Sequence, residues 1–138
     1  MPTPGARRPL GTYETRLAFA RYVLAMHSKI HPVFADSYLS SIEGLPVDHS
    51  LNRPDIDTLV EIVLRGSDGA ILGLGVVLSS GADEFDAAAL EAVERASPFG
   101  APSAETLSAD GTMRMEWHFF RSPTVACSTI NAVPFLFR

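Results

Sequence analysis

The segment from Gly75 to Arg95 places an apolar stretch, a Ser-Ser-Gly turn and an alanine-rich run in direct succession. Glycine adopts backbone conformations closed to other residues, and serine bonds to its local backbone, so the middle of this segment predicts a sharp turn. Acidic residues fill the first turn of the alanine-rich run, where the helix dipole favours negative charge, and Asp83 is predicted to cap the helix. The segment therefore predicts a strand that turns into a helix over residues 83–96, with small side chains packed against a sheet.

Three strands accompany this helix. Thr58–Arg65 and Ala70–Ser79 are joined by Ser67-Asp68-Gly69, which is a strong hairpin signal. The third strand, Met113–Phe120, alternates between two faces. One face carries Met113, Met115, Trp117 and Phe119, and the other carries Arg114, Glu116, His118 and Phe120. The pattern predicts an α+β domain, in which a three-stranded antiparallel meander is covered on one face by helices.

The first third of the chain predicts helical structure. Thr12 is the predicted N-cap of a first helix, whose apolar residues recur at three- and four-residue steps: Phe19, Tyr22, Val23, Met26, Ile30, Val33 and Phe34. Pro32 is expected to bend this helix or to end it near His31, because proline lacks a backbone donor. A second short helix is expected over Ala35–Ile42, stopped by Gly44. Residues 1–11 are expected to be a linker remnant before a domain over residues 12–138.

Composition and charge exclude several classes of function. With 138 residues the chain is one domain by size, and such a chain buries roughly two-thirds of its unfolded surface without metal or disulfide crosslinks. The formal net charge is −5 and the basic residues are scattered, so the electrostatic footprint of nucleic-acid binding is missing. Direct insertion of this segment into a membrane is not expected, because no apolar run reaches the roughly 18 residues that span a bilayer.

Several landmarks follow one another in a recognisable order. They are the hairpin with its Asp68-Gly69 turn, the phrase SSG followed by FDAAALEAV, the pair Pro98-Phe99, and the strand Gly111–Phe120 with its Trp117. From about Leu59 to Phe120 the chain resembles the C-terminal domain of TonB and of its relative TolA, energy transducers of the Gram-negative envelope. The tyrosine–proline motif that opens many such domains is absent. With its tail around Cys127, the chain is most similar to a divergent branch in multidomain envelope proteins of myxobacteria, some of them gliding-motility components.

The resemblance implies a non-enzymatic protein-binding domain of a trans-envelope energy or force transducer. In the family, the strand that matches Met113–Phe120 is the sheet edge that receives an extended peptide of an outer-membrane or periplasmic partner by strand addition. The side chains that this implies as partner contacts are Arg114, Glu116, His118 and Phe120.

The resemblance also implies a periplasmic location, as the C-terminal domain of an inner-membrane-anchored protein that a motor complex drives through the preceding region. The chain begins with MPTPGARRPLG, which has no hydrophobic segment and is not a signal peptide. Either the protein is cytoplasmic, or the domain is separated from its anchor. The second interpretation is favoured because a domain of this kind depends on its tether.

The tail over residues 122–138 departs from the family pattern, in which the chain stops soon after the strand. Val133–Phe137 is too hydrophobic for a solvated end, and an open edge as apolar as Met113–Phe120 is an aggregation hazard. We therefore expect the tail to pack against the domain, to supply a fourth strand and to bury Cys127. The exposed edge then becomes either the tail itself or the opposite side of the sheet, and Val133 and Phe135 of the tail are predicted to bind partners.

Few residues are candidates for a catalytic or metal-binding role. His27 and His31 stand four residues apart on the first helix, a spacing that can place both imidazoles on one metal. Ser28 stands where a catalytic zinc motif carries glutamate, so ordinary surface histidines are the expected interpretation. Cys127 is not expected to lie beside His118, and a buried small thiol is favoured. The sequence predicts no catalytic residue, no metal and no cofactor.

Two other functions stay open at this point. A structural docking module of a multi-subunit envelope machine, such as a gliding-motility apparatus, would be favoured by an exposed apolar patch around Phe34, Tyr38 and Leu39. A small metal-binding protein is suggested only by His27 and His31.

Overall fold

The structure is a computed structural model that describes residues 7–137. Within that range the helices and strands form an α+β domain. In chain order they are β1 (Arg7–Arg8), α1 (Tyr13–His31), a π-helix (Pro32–Leu39), α2 (Ser40–Ile42), β2 (Asp57–Arg65), β3 (Ile71–Leu78), α3 (Asp83–Ala96), β4 (Thr112–Phe120) and β5 (Ala132–Phe137). Short 3-10 turns lie at Ala104–Thr106 and Thr129–Asn131.

The strands form one antiparallel sheet in the order β1-β5-β4-β2-β3. The α+β class, the hairpin and the fourth strand from the tail are confirmed. The predicted meander is wrong, because β4 pairs with β2 and not with β3. Helix α3 connects β3 to β4 across the sheet, so β4 pairs with the side of β2 that is opposite β3. Strand β3 therefore lies at one edge of the sheet.

The expected linker over residues 1–11 needs a correction in the part that the structure describes. Arg7 and Arg8 pair with Phe137 and Leu136 at the end of β5. Leu10 is 3% exposed and belongs to the hydrophobic core. The apolar side chain of Leu10 explains the difference, since its burial draws this segment onto the domain. Residues 1–6 lie outside the described residues.

Helix α1 begins where the sequence predicts. The Thr12 hydroxyl accepts a hydrogen bond from the Thr15 backbone N–H at 3.1 Å, and the Thr12 backbone N–H donates one to the Thr15 hydroxyl at 3.1 Å, so the two form a capping box. The helix ends at His31, as Pro32 predicts. The expected separate helix over residues 35–42 is instead a continuation, the π-helix followed by α2. Pro32 has no N–H for the α-type ladder, and the chain continues with the wider π pattern.

The core lies between the helices and one face of the sheet. Its sheet side is formed by alternate residues of β2 and β4: Thr58, Val60, Ile62, Leu64, Met113, Met115, Trp117 and Phe119. On the helix side, the Phe34 ring stands 5.9 Å from that of Phe85 and 5.0 Å from that of Phe119, both nearly perpendicular. Such edge-to-face pairs are favourable beyond the area they bury.

Two apolar residues of the hairpin lie outside this core. Leu59 points to the opposite face, because the alternation of β2 places Val60 on the helix side. Val77 is 43% exposed on the outermost strand, next to a register shift between Leu59 and Val60.

The start of α3 is fixed by Asp86 and not by Asp83, which was the predicted cap. The N-cap position belongs to Ala82, whose side chain cannot cap. Asp86 instead accepts hydrogen bonds from the hydroxyls of Ser79 and Ser80 and from the Ser80 N–H at 2.9 Å. Burial opposes the charge, but these bonds outweigh it and hold the pKa of Asp86 below its usual value. The Ser-Ser-Gly turn is therefore fastened to the helix by one buried carboxylate.

Replacing Phe85 with Ala is expected to lower the free energy of unfolding by about 3–5 kcal/mol, because its ring is fully buried under the sheet. Urea denaturation measures the loss. Leu24→Ala, at a side chain that is 62% exposed on α1, is the matched control and should cost less than about 0.5 kcal/mol. A loss below about 1 kcal/mol for Phe85→Ala would contradict the packing described above.

Asp86→Asn is expected to destabilise the domain by about 1–3 kcal/mol at neutral pH, since it removes a buried charged acceptor. The folded-state pKa is depressed, so this stabilisation is present above the unfolded-state pKa of about 3.9 and is lost as the pH falls through the folded-state value. The difference between the two proteins in urea titrations should therefore shrink at acidic pH. Asp83→Asn is the control, because Asp83 is exposed and caps nothing. A difference that stays constant with pH would show that the carboxylate charge is not the cause.

Candidate functional site

Strand β4, which the resemblance implies as the partner-binding edge, lies inside the sheet. It pairs with β2 along its whole length on one side. On the other side Arg114–Trp117 pair with Ala132–Phe135 of β5, and the Phe120 N–H donates to the Ala126 carbonyl at 2.8 Å. The expected packing of the tail is confirmed, and the expectation that β4 is an open edge is corrected: the chain's own tail occupies it.

The six residues predicted to bind a partner are nevertheless brought together. Direct pairing across strands puts residues on one face, and this set lies on the sheet face turned away from the helices. Its members are Arg114, Glu116, His118, Phe120, Val133 and Phe135. Arg114 is held by Asp110 at 3.1 Å, and His118 lies 3.3 Å from Asp57. Whether this face contacts a partner stays a prediction.

Strand β3 is the edge that the sequence did not predict. Within residues 7–137 it pairs with β2 alone, so the peptide groups along its outer side have no strand beside them. Four of its apolar side chains are exposed between 39% and 58%: Leu72, Val76, Val77 and Leu78. A long apolar edge of this kind attracts another strand unless something covers it.

Two glycines shape the open face beside this edge. Gly73 and Gly75 lie opposite Val63 and Glu61 in the register, and a Cβ placed on Gly75 would meet nothing within 4 Å. They leave a shallow trough of about 190 Å³ over the edge of the sheet. This trough can accept side chains of a strand that is added at the β3 edge.

Both ends of β3 are fastened to the body of the domain. At the hairpin turn the Phe99 N–H donates to the Gly69 carbonyl at 3.1 Å, and the Gly100 N–H donates to the Asp68 carbonyl at 3.0 Å. Gly69 has φ +71° there, a conformation that favours glycine, and the Gly100 backbone leaves no room for a Cβ. The Tyr22 hydroxyl donates to the Gly100 carbonyl at 2.7 Å, and burial raises the pKa of Tyr22 to about 12. The other end is held by Asp86.

The opposite end of the sheet carries a groove. Strand β1 covers only the last two residues of β5, and a cavity of about 760 Å³ lies between the rest of β5 and helix α1. Its lining is largely apolar and includes Leu10, Phe19, Val23, Ile130 and Val133. The outer side of β5 is thus a second, shorter edge.

His27, His31 and Cys127 form a cluster that sequence reasoning missed in part. The two histidine rings stand 5.0 Å apart on α1, and the Cys127 Sγ lies 3.7 Å from the His31 Nδ1. One ligand atom from each of the three residues lies within 4.8 Å of the others. No signal in the sequence joins Cys127 to a histidine 96 positions away. As expected, Cys127 is buried.

The same cluster has the outline of a thiol–imidazole–carboxylate triad, because the His31 Nε2 lies 3.4 Å from Asp36. A nucleophile needs an accessible thiolate. Cys127 is 1% exposed, and burial raises the pKa of its thiol to about 12. Burial, followed by the neighbouring His31, lowers the pKa of His27. The thiol is therefore largely buried and held protonated, which does not suit a catalytic nucleophile.

The apolar patch that would favour a docking module is not exposed. Phe34 and Leu39 are 0% and 1% exposed, and Tyr38 is only partly accessible. This side of the helical layer therefore does not offer the surface that the alternative needs.

Comparison with known proteins agrees with this architecture. A family model described as TonB C terminal matches residues 51–116, from the loop before β2 to the middle of β4. This segment belongs to the TonB C-terminal domain family. The family indicates an envelope role in energy transduction through protein interactions, a periplasmic location, and domains that in general are not enzymes. No curated protein and no solved structure matches the chain. Among the described residues, no helix has the length and apolarity to cross a membrane.

The match stops inside β4, so the tail that covers its edge lies outside the matched segment. Deleting residues 131–138 is expected to expose the edge of β4 and to destabilise the domain or promote association, because apolar core beside Ala132 is uncovered. Melting temperature, light scattering and thiol labelling of Cys127 measure the effect. Val133→Lys, at an exposed side chain, is the control. A deleted protein that stays monomeric with unchanged melting and labelling would show that the tail is a free arm.

Proposed function

We propose that the chain is a non-enzymatic protein-binding domain of a trans-envelope energy or force transducer. It works in the periplasm, as the C-terminal domain of an inner-membrane-anchored protein that a motor complex drives. It takes up an extended peptide of an outer-membrane or periplasmic partner as an added strand along the outer side of β3. The observation that carries the proposal is the exposed, apolar edge of that strand, beside which no further strand lies among residues 7–137.

Strand addition suits this edge for a physical reason. An outermost strand presents alternate N–H and C=O groups to solvent, and an extended peptide satisfies them along its length. The edge of β4 has already been satisfied by β5. Strand β5 offers a shorter run, part of which faces β1, and Pro134 within it has no N–H to donate. Strand β3 is therefore the longer of the two edges, and its sequence contains no proline.

Side chains around β3 favour an apolar, alternating peptide. The trough above Gly73 and Gly75 accepts side chains that point to the open face, next to Val63. Val76 and Leu78 extend the apolar surface toward the end of the strand. Backbone bonds thus supply affinity, while this surface selects the residues that alternate with them.

A strand bound in this way transmits force well, since a row of backbone hydrogen bonds shares the load. The fastening of both ends of β3, through Gly69 at the turn and Asp86 at the start of α3, passes that load into the core. This arrangement supports the role of the domain as the pulling end of a tethered transducer.

A photo-crosslinking residue placed at Leu72 of the envelope-anchored protein is expected to capture an envelope partner, because that side chain is 54% exposed on the β3 edge. The same residue at Val133, 60% exposed on β5, is the matched control and should capture much less. Mass spectrometry of the crosslinked peptide should map it to an extended segment of the partner.

A charge on the edge should block the partner without unfolding the domain. Val77→Lys is expected to weaken binding of the identified peptide about tenfold or more, equal to about 1.4 kcal/mol, with unchanged melting temperature. Val133→Lys should bind normally. The reverse pattern, with capture at Val133 and loss of binding in Val133→Lys, would contradict the β3 assignment and place the partner on β5.

A further inference from the structure

We propose that His27, His31 and Cys127 form a zinc site that joins the end of helix α1 to the loop before β5. The sequence pattern indicated only two candidate metal ligands, His27 and His31. The fold adds Cys127 of the tail as a third. The inference is independent of peptide binding at β3, which lies elsewhere on the sheet.

The distances suit tetrahedral coordination. Zinc binds imidazole nitrogen at about 2.0–2.1 Å and thiolate sulfur at about 2.3 Å, so neighbouring N and S ligands around one ion are about 3.6 Å apart. The Cys127 Sγ and the His31 Nδ1 are separated by 3.7 Å. His27 lies one helical turn before His31 on the same face, and its ligand atom lies within 4.8 Å of the other two. The proposed site requires the partly buried His27 side chain to turn toward the other two ligands.

Asp36 orients His31 for metal binding. Its carboxylate lies 3.4 Å from the His31 Nε2, on the side of the ring opposite the sulfur. A proton on Nε2 shared with Asp36 leaves the lone pair of Nδ1 directed at Cys127. Zinc-ligating histidines are commonly held this way by a carboxylate, which fixes the tautomer and the ring.

The loop that carries Cys127 is held rigidly on both sides. The Ala126 carbonyl accepts from the Phe120 N–H at 2.8 Å, and the Ser128 carbonyl accepts from the Trp117 indole at 3.2 Å. Helix α1 fixes the two histidines independently. Three donors from two fixed elements thus converge without the loop having to fold around the ion.

Three protein ligands leave one tetrahedral position open. A cavity of about 250 Å³, lined by both histidines and residues 123–128, adjoins the cluster and has room for a water in that position. A nitrogen-and-thiolate donor set suits zinc better than magnesium or calcium, which take oxygen ligands. On binding, the Cys127 thiol loses its proton to water and the sulfur bonds to the metal.

The test uses the tag-free 138-residue chain with Zn²⁺, and with Co²⁺ as a spectroscopic probe. Native mass spectrometry is expected to show one zinc per chain, and Co²⁺ should give a thiolate-to-metal charge-transfer band. Cys127→Ser should abolish the band, and Asp36→Asn should weaken zinc affinity about 10- to 100-fold while keeping it. His49→Gln, at a histidine outside the cluster, is the matched control and should leave zinc binding unchanged.

Stability provides an independent readout, because an ion that binds only the folded chain raises its melting temperature. Zinc should raise it in the unaltered chain and in His49→Gln, but not in His31→Gln, a variant at a partly exposed side chain that should still fold. Zinc should also slow alkylation of Cys127. Failure to bind one equivalent, equal affinity in Cys127→Ser, or alkylation at the same rate with and without zinc would overturn the proposal.

Discussion

The pairing of β4 with β2 is the constraint on which the rest of the structure depends. The two strands match along nine consecutive positions, from Asp57 opposite Phe120 to Arg65 opposite Thr112. This places Trp117 and Phe119 beside Val60 over the helices and, within the part of the chain that the structure describes, leaves β3 with one strand neighbour. It also turns the far side of β4 toward the tail, which fills it. The position of every edge in the sheet follows from this one choice of neighbour.

Much of the fold could be predicted from local pattern. The capping residue Thr12, the hairpin turn at Gly69, the extent of α3 and the two faces of β4 are all encoded within short windows, where periodicity and turn chemistry decide the structure. The strand order could not be read in this way. Antiparallel pairing of β4 is allowed on either side of the hairpin, and only the path of α3 over the core selects one side.

The candidate sites show the same division between local and distant information. The family resemblance indicated β4 as the strand that binds a partner. In this chain the tail pairs with β4, so the backbone groups on that side of β4 are already hydrogen-bonded. The helical spacing of His27 and His31 was visible in the sequence. Cys127 and Asp36 complete that cluster from other elements, and their approach depends on how the loop after β4 packs against α1. A motif search along the chain cannot find a constellation that is assembled across it.

The double fastening of β3 also bears on the thermodynamics of recognition. A loop or a frayed strand loses conformational entropy when it binds, and that loss subtracts from affinity. An edge whose turn is bonded to Gly100 and whose other end is bonded to Asp86 is already ordered in the free protein. The entropic cost of association then falls almost wholly on the incoming peptide. Stiffness in the peptide, such as a preference for extended backbone, thereby becomes a determinant of binding strength in its own right, separate from the side chains it presents.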